Sequence, residues 1–433
     1  MKFGGTSVGD ARSIRQVVQI VRQQRHRAPV VVVSAHAGVT DELLALAGRA
    51  AAGDADTAAI AERHRAILRD LGLPTNLLDT LLGELADLAR GLRLVGAVSP
   101  KALDRLASFG ERCSARTVAA AMQHDGLPAT AVDAHAAGLR TDSSFGRARP
   151  LPDDGRIREY LTRVVGIPVV TGFLGGDEHG NLSTLGRNGS DYSAALFGVA
   201  VDAEEIQVWK DVDGVRTADP RVVPTALPIR AMSYAEACEL TAFGSKVLHP
   251  GAMLPAMQRG IPLSVRSTLE PEAPGTRIEA GVTRAPVRAI AHRARVAKIT
   301  VTSPRFGETH TLPAQVFAEL AELSAEIGPI AVSTGCVVLA IGDAHVDAAA
   351  TALARHGEVV VVRDCAVVGV VGDPAAMRFR VVAEVTGTLA DAGIALSCAG
   401  QGADDGTFAF VVRAAELLTA VRALHARFFG NAP

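Results

Sequence analysis

The sequence predicts an α/β protein: a large layered domain on a mainly parallel sheet, followed by two small ferredoxin-like modules. Three observations predict it. Short β-branched runs with almost no alternation, such as Pro29-Val30-Val31-Val32-Val33-Ser34-Ala35, are what strands covered on both faces look like. Helical periodicities separate these runs over the first ~285 residues, as crossover helices of a parallel sheet require. Beyond that point a β-α-β-β pattern occurs twice, at about 65 residues each.

Taken in order, the chain opens on Lys2-Phe3-Gly4-Gly5-Thr6-Ser7-Val8-Gly9, a glycine turn behind a lysine. Ile14, Val17, Val18 and Val21 then recur at helical spacing as one buried face. After the first strand, residues 41–124 read as nearly all helix, a lobe beside the sheet. Further strands are expected at Ile167-Pro168-Val169-Val170-Thr171-Gly172-Phe173, at Glu205-Ile206-Gln207-Val208-Trp209 and at Ile261-Pro262-Leu263-Ser264-Val265-Arg266. The turn-rich Glu270-Pro271-Glu272-Ala273-Pro274-Gly275-Thr276 and a basic, Ala-rich stretch after it mark a boundary. The division expected is 1–283 for the large domain, 284–295 for a linker, 296–361 for the first module and 362–433 for the second. In the second module, strands are expected at Ala366–Val371, 394–399 and 407–412, with helices at 377–392 and 414–429.

Composition narrows the function. At 433 residues and 48% hydrophobic content the chain can bury more than one core. A formal net charge of −2 offers no general attraction to nucleic acid or to an anionic membrane, so neither is an expected partner. Cys113, Cys238, Cys336, Cys365 and Cys398 lie far apart with no C-x-x-C pair, which reads as buried thiols in a reducing compartment. No apolar run reaches the roughly 18 residues of a membrane span, and a cytoplasmic location is expected. Small-molecule chemistry is the remaining class.

Three segments carry chemistry. In the first, backbone N–H groups at Gly4 and Gly5, a helix N-terminus and the Lys2 charge suit a phosphate; an ordinary capped turn is the competing reading. The second, Thr184-Leu185-Gly186-Arg187-Asn188-Gly189-Ser190-Asp191-Tyr192-Ser193-Ala194, packs a guanidinium, two glycines, a hydroxyl and a carboxylate at a strand-to-helix junction. A capped helix with Asp191 in its first turn is the plain alternative. The third, Lys210-Asp211-Val212-Asp213-Gly214-Val215-Arg216-Thr217-Ala218-Asp219-Pro220-Arg221, follows a strand directly and fits a nucleotide-side loop. It lacks the terminal glutamate of an EF-hand.

These segments, with Ser34-Ala35-His36-Ala37-Gly38-Val39-Thr40, Phe109-Gly110-Glu111-Arg112 and Gly244-Ser245-Lys246-Val247-Leu248-His249-Pro250, occur in the order found in aspartate kinases. The chain resembles that family over essentially its whole length. The resemblance implies the amino acid kinase three-layer sandwich, with the tandem modules as ACT domains. It implies transfer of phosphate from ATP to the aspartate side-chain carboxylate, the first step of lysine, threonine and related amino-acid biosynthesis or of a specialised aspartate-derived pathway. A non-catalytic or feedback-desensitised ACT-containing subunit is the alternative.

By the same resemblance, Lys2, Arg187 and Asp191 are the catalytic set. Ser34, Thr40, Glu111, Arg187 and Ser190 would bind substrate, Arg187 at the α-carboxylate and Glu111 at the α-ammonium. Lys2, Phe3, Gly4, Gly5, Lys210, Asp211, Arg216, Arg221 and Lys246 would line the ATP site, with Mg2+ held mainly by the nucleotide phosphates and no protein metal ligands. A homodimer through the ACT modules is implied. Two departures stand out: Lys210 and Arg216 replace the usual Ser/Thr and aromatic, and Asn188 replaces a frequent glycine. If position 188 needs φ > 0, asparagine is the non-glycine residue best able to supply it. Thr407 replaces an effector-contacting asparagine, and Glu308-Thr309-His310-Thr311-Leu312-Pro313 replaces a glycine-hydrophobe turn, which predicts weak or absent inhibition by lysine and threonine.

Overall fold

The computed structural model describes all residues except 245–247, 249, 283–284, 304–310, 324, 403 and 431–433. The chain folds as two compact units, one of residues 1–214 and 251–280, the other of 215–250 and 281–433. In the first unit the sheet runs Thr276–Ile278, Leu263–Ser267, Ile206–Lys210, Lys2–Phe3, Val31–Val33, Ile167–Thr171, Ala129–Val132. All neighbours are parallel except the Thr276–Ile278 edge.

The two-residue strand Lys2–Phe3 pairs with Val31–Val33 on one side and Ile206–Lys210 on the other. The chain therefore leaves this strand in both directions across the sheet. Such a switch point opens a crevice beyond the carboxyl ends of the strands, where ligands of open parallel sheets bind. Phe3 stacks on Trp209 at 6.0 Å between ring centres, both fully buried, which anchors the strand despite its length.

Helices cover the sheet as the apolar spacing predicts. Helix Ala11–Gln24 buries Ile14, Val17, Val18 and Val21. The lobe is four helices, Val39–Ala51, Ala58–Leu71, Asp79–Val95 and Pro100–His124, whose Leu43, Leu46, Leu68, Leu85 and Leu106 share one core with the sheet.

The second unit contains a six-stranded antiparallel sheet in the order Ile327–Ser333, Cys336–Gly342, Ala289–Thr302, Glu358–Val371, Thr407–Arg413, Ala399–Gln401. Two strands of 14 residues serve both modules. Val296–Thr302 pairs with Cys336–Gly342, while Ala289–Arg293 lies against Val367–Val371. A bulge near Arg295, whose φ is 56°, separates the halves. Helices Thr311–Glu322 and Val346–Leu353 cover the first module, and helices Val382–Asp391 and Leu417–Phe429 the second.

Three expectations change. Residues 289–295, read as linker, are strand, because Ile290 and Ala291 are apolar and buried where the spacing was taken as a solvated connector. The strand expected at 394–399 is Ala399–Gln401; Ser397 and Cys398 bond Val411 without continuing a regular ladder. The segment 215–250 joins the second unit, since Val222, Val223 and Ala226 pack with Val370 and Leu424. Arg422 Nε also donates to the Val222 carbonyl at 3.0 Å. The cysteines are all free; Cys113, Cys365 and Cys398 are buried, whereas Cys238 and Cys336 are only half-buried.

Candidate active site

The carboxyl edge of the parallel sheet brings the first and second motifs together. Lys2 stands in register with Val208, so Lys210, two residues further on, faces the same side of the sheet. Both lysines meet one carboxylate. Lys2 Nζ lies 2.7 Å from Asp191 Oδ1, and Lys210 Nζ lies 3.4 Å from Asp191 Oδ2. Asp191 is in the first turn of helix Gly189–Ala200. Burial alone would raise its carboxyl, but the Lys2 and Lys210 charges outweigh burial and hold it below the usual carboxylate range. Burial lowers the Lys210 ammonium, opposed by Asp191.

Glu111 comes from the middle of helix Pro100–His124 and is 3% exposed, which rules out a solvated pair with Arg112. Its Oε1 accepts from Ala35 N at 3.1 Å, and Oε2 is buried with no partner among the described residues. Burial pushes this carboxyl up to about 8, against the Ala35 bond and the Lys2 charge. A buried, half-satisfied carboxylate is a ready receptor for a cation.

Ser34 follows Val33 directly and is half-buried. Thr40 lies one residue inside helix Val39–Ala51, whose N-cap is Gly38, so Thr40 is not the cap. His36, in the same loop, is 1% exposed and its ring lies 5.3 Å from that of His64, itself 2% exposed. Burial holds the two imidazoles at about 4 and about 3. The unfolded chain binds protons at both near 6.5, so stability is complete above that pH and is lost as pH falls toward 4, at up to about 2.7 kcal/mol per pH unit. His64→Leu is expected to lessen the drop in urea midpoint between pH 7 and pH 5; an unchanged drop would refute this.

The glycine turn differs from its expected form. Gly5 has φ −58°, an ordinary right-handed conformation, and opens the 3-10 turn Thr6–Val8. What it supplies is close approach, since a Cβ there would lie 3.0 Å from the Ala35 carbonyl oxygen. The helix that follows does not offer a bare N-terminus: Asp10 caps it, accepting from Ser13 N at 2.7 Å, and its negative charge occupies the place expected for an anion. Helices Gly189–Ala200 and Val39–Ala51 both begin at this edge without a side-chain cap. The N-cap of Gly189–Ala200, Asn188, has φ 59°, the left-handed conformation that the asparagine there predicts, and Gly186 has φ 75°. Arg187, between them, is exposed, and Ser190 is buried.

The nucleotide-side residues fall in different places. Phe3, Gly4, Lys210 and the exposed Asp211 belong to the first unit. Arg216 and Arg221 belong to the second. There Arg216 Nη1 donates to the Ala226 carbonyl at 2.8 Å, and Arg221 is exposed and paired with Asp219 at 2.6 Å. Lys246 lies outside the described residues. Two residues that sequence reasoning missed are at this edge. Phe173 holds φ 65°, a costly conformation for an aromatic residue, with its ring against Gly189. Asp104 bonds the strand leading to Gly186. Neither carries a local signal, because backbone strain and three-donor acceptors arise only on folding.

Comparison with known proteins identifies the family. The amino acid kinase family matches residues 1–267, and an ACT domain matches residues 368–428. The lysine-sensitive aspartokinase 3 of Escherichia coli is 32% identical over 449 residues, covering 99% of this chain and 98% of that protein. The chloroplastic aspartokinase 3 of Arabidopsis thaliana is also 32% identical, over 99% of this chain and 81% of its own length. The structure of E. coli aspartokinase III in complex with aspartate and ADP superposes with a TM-score of 0.82 at 30% identity, covering 99% of each chain. With a family match over more than half its length and relatives aligned nearly end to end, the chain belongs to the amino acid kinase family and, within it, to the aspartokinases.

Proposed function

We propose that this protein transfers the γ-phosphoryl group of ATP to the side-chain carboxylate of L-aspartate, giving 4-phospho-L-aspartate and ADP. The observation that carries this reading is the buried Lys2–Asp191–Lys210 chain at the carboxyl edge of the sheet. The attacking carboxylate is ionised at neutral pH, with an ordinary pKa of about 3.9, so no general base is needed. Catalysis reduces to alignment and neutralisation of phosphoryl charge. Lys2 supplies that neutralisation, and Asp191 holds both lysines in place. Glu111 receives the α-ammonium, Arg187 the α-carboxylate, and Ser34, Thr40 and Ser190 bond substrate or phosphate. Phe3, Gly4, Gly5, Lys210 and Asp211 serve the nucleotide.

A divalent ion such as Mg2+ would ride on the nucleotide phosphates and offset their charge. Among the described residues no three His, Cys, Asp or Glu side chains converge as a protein cage. A homodimer through the C-terminal modules, a cytoplasmic location and a role in lysine or threonine biosynthesis complete the proposal. No observation favours the non-catalytic alternative.

ATP-dependent hydroxamate formation with aspartate, glutamate and carbamate compared tests the reading. Product with aspartate alone is expected, and none with aspartate would overturn it. Lysine and threonine at micromolar concentration are expected to leave the rate unchanged. Thr407, at the position where an effector-binding asparagine would stand, is fully buried within strand Thr407–Arg413. Strong inhibition by either amino acid would refute that part.

A further inference from the structure

We propose that Asp104 is the positioning residue that sets Arg187 for the acidic substrate, a role that rests on the reading of Arg187 as the α-carboxylate ligand. Asp104 and Glu111 lie seven residues apart on helix Pro100–His124, hence on one face two turns apart. Glu111 reaches the Ala35 backbone from that face. Asp104 reaches the other side of the site.

Asp104 is 3% exposed and accepts three bonds. Oδ2 takes Thr184 N at 2.8 Å and Gly146 N at 2.9 Å, and Oδ1 takes the Thr184 hydroxyl at 2.8 Å. Ala148 N donates in turn to the Thr184 carbonyl at 2.8 Å. The 142–149 loop and the strand Leu182–Thr184 are thus fastened to one carboxylate, two residues before the left-handed Gly186. Gly186 also touches the loop: a Cβ there would lie 3.6 Å from Arg147 Cα.

No cation pairs with Asp104 among the described residues, so its charge is answered only by neutral donors. The carboxylate takes all three donors at once. Asparagine can keep the clamp, with Oδ1 on the two backbone N–H groups and Nδ2 donating to the Thr184 hydroxyl. Alanine at this position removes it and leaves the Thr184 and Gly146 N–H groups without their acceptor. One rigid helix then holds the ammonium receptor Glu111 directly and the carboxylate receptor Arg187 through Thr184, which fixes the spacing of the two charged ends of an amino acid.

The test uses the full chain and steady-state kinetics in both substrates. Asp104→Ala is expected to raise the aspartate KM about tenfold or more, with the ATP KM within twofold. Thr184→Val, which removes one donor without changing size, is expected to act in the same direction by about threefold and serves if the Ala variant folds poorly. Arg187→Ala is expected to raise the aspartate KM, and the Asp104→Ala, Arg187→Ala double variant to be no worse than Arg187→Ala alone. Additive effects, or an aspartate KM unmoved by Asp104→Ala while Arg187→Ala raises it, would overturn the positioning role. An aspartate KM unmoved by Arg187→Ala would instead overturn the Arg187 assignment, and the proposal with it.

Discussion

Lys2→Met is expected to lower kcat by about 10²–10³-fold or more, the cost of removing one preorganised charge from a transition state that gathers charge on phosphoryl oxygens. Methionine keeps the length of the buried stem, so no cavity opens, and Lys210 still answers Asp191. The melting temperature should therefore move little while turnover collapses. Asp191→Asn should behave differently. It leaves Lys2 and Lys210 facing each other in a buried site with their shared counter-charge gone, and breaking a buried pair in this way costs about 3–5 kcal/mol. Both turnover and thermal stability should fall. Kinetics and thermal melts of the two variants check this, and a Lys2→Met enzyme retaining kcat within tenfold would remove Lys2 from phosphoryl transfer.

Glu111→Gln should produce opposite effects on stability and on substrate binding. The folded protein keeps a proton on Glu111 up to about pH 8, whereas the unfolded chain releases it near 4.5. Through that window the folded state binds the extra proton, so the Glu111 contribution to stability declines as pH rises, by up to about 1.4 kcal/mol per pH unit. The Gln variant lacks this decline. Its melting temperature should rise relative to the parent as pH goes from 5 to 8.

Substrate binding should reverse that advantage. An incoming ammonium stabilises the Glu111 carboxylate, so aspartate binding at pH 7 should release a proton from the parent, and the aspartate KM should fall as pH rises toward 8. In Glu111→Gln the KM should rise by at least about tenfold, in line with the roughly 2–5 kcal/mol lost when a buried charge pair is truncated, and lose that pH dependence. Calorimetry in two buffers of different protonation enthalpy measures the proton directly. Equal heats in both buffers would refute the role.

Much of this site was legible because its residues sit in contiguous motifs. Strand runs at Val31–Val33 and Ile206–Lys210, the helical face of Ile14 and Val17, and the left-handed Asn188 each follow from local spacing or backbone preference. The open helix N-terminus expected after the glycine turn is absent for a local reason: Asp10, directly before Ala11 and four residues before the periodic Ile14, is an N-cap. Residues 289–295 were read as linker because alternating Ala, Arg and His mask a strand whose apolar side chains are buried by a distant module.

By itself, then, the sequence determined the parallel core, the helical lobe, the tandem modules and the identity of the charged groups, since these depend on periodicity and residue chemistry. Tertiary structure alone decided how the charges act. Lys2 and Asp191 are separated by 189 positions of chain, yet their atoms stand 2.7 Å apart because the sheet places strand Lys2–Phe3 beside Ile206–Lys210 and helix Gly189–Ala200 over that junction. It also decided that Glu111 is dry, that Asp104 is a clamp rather than a surface acid, and that segment 215–250 belongs with the C-terminal modules. Burial and long-range hydrogen bonds set those outcomes, and neither is encoded in any local stretch of residues.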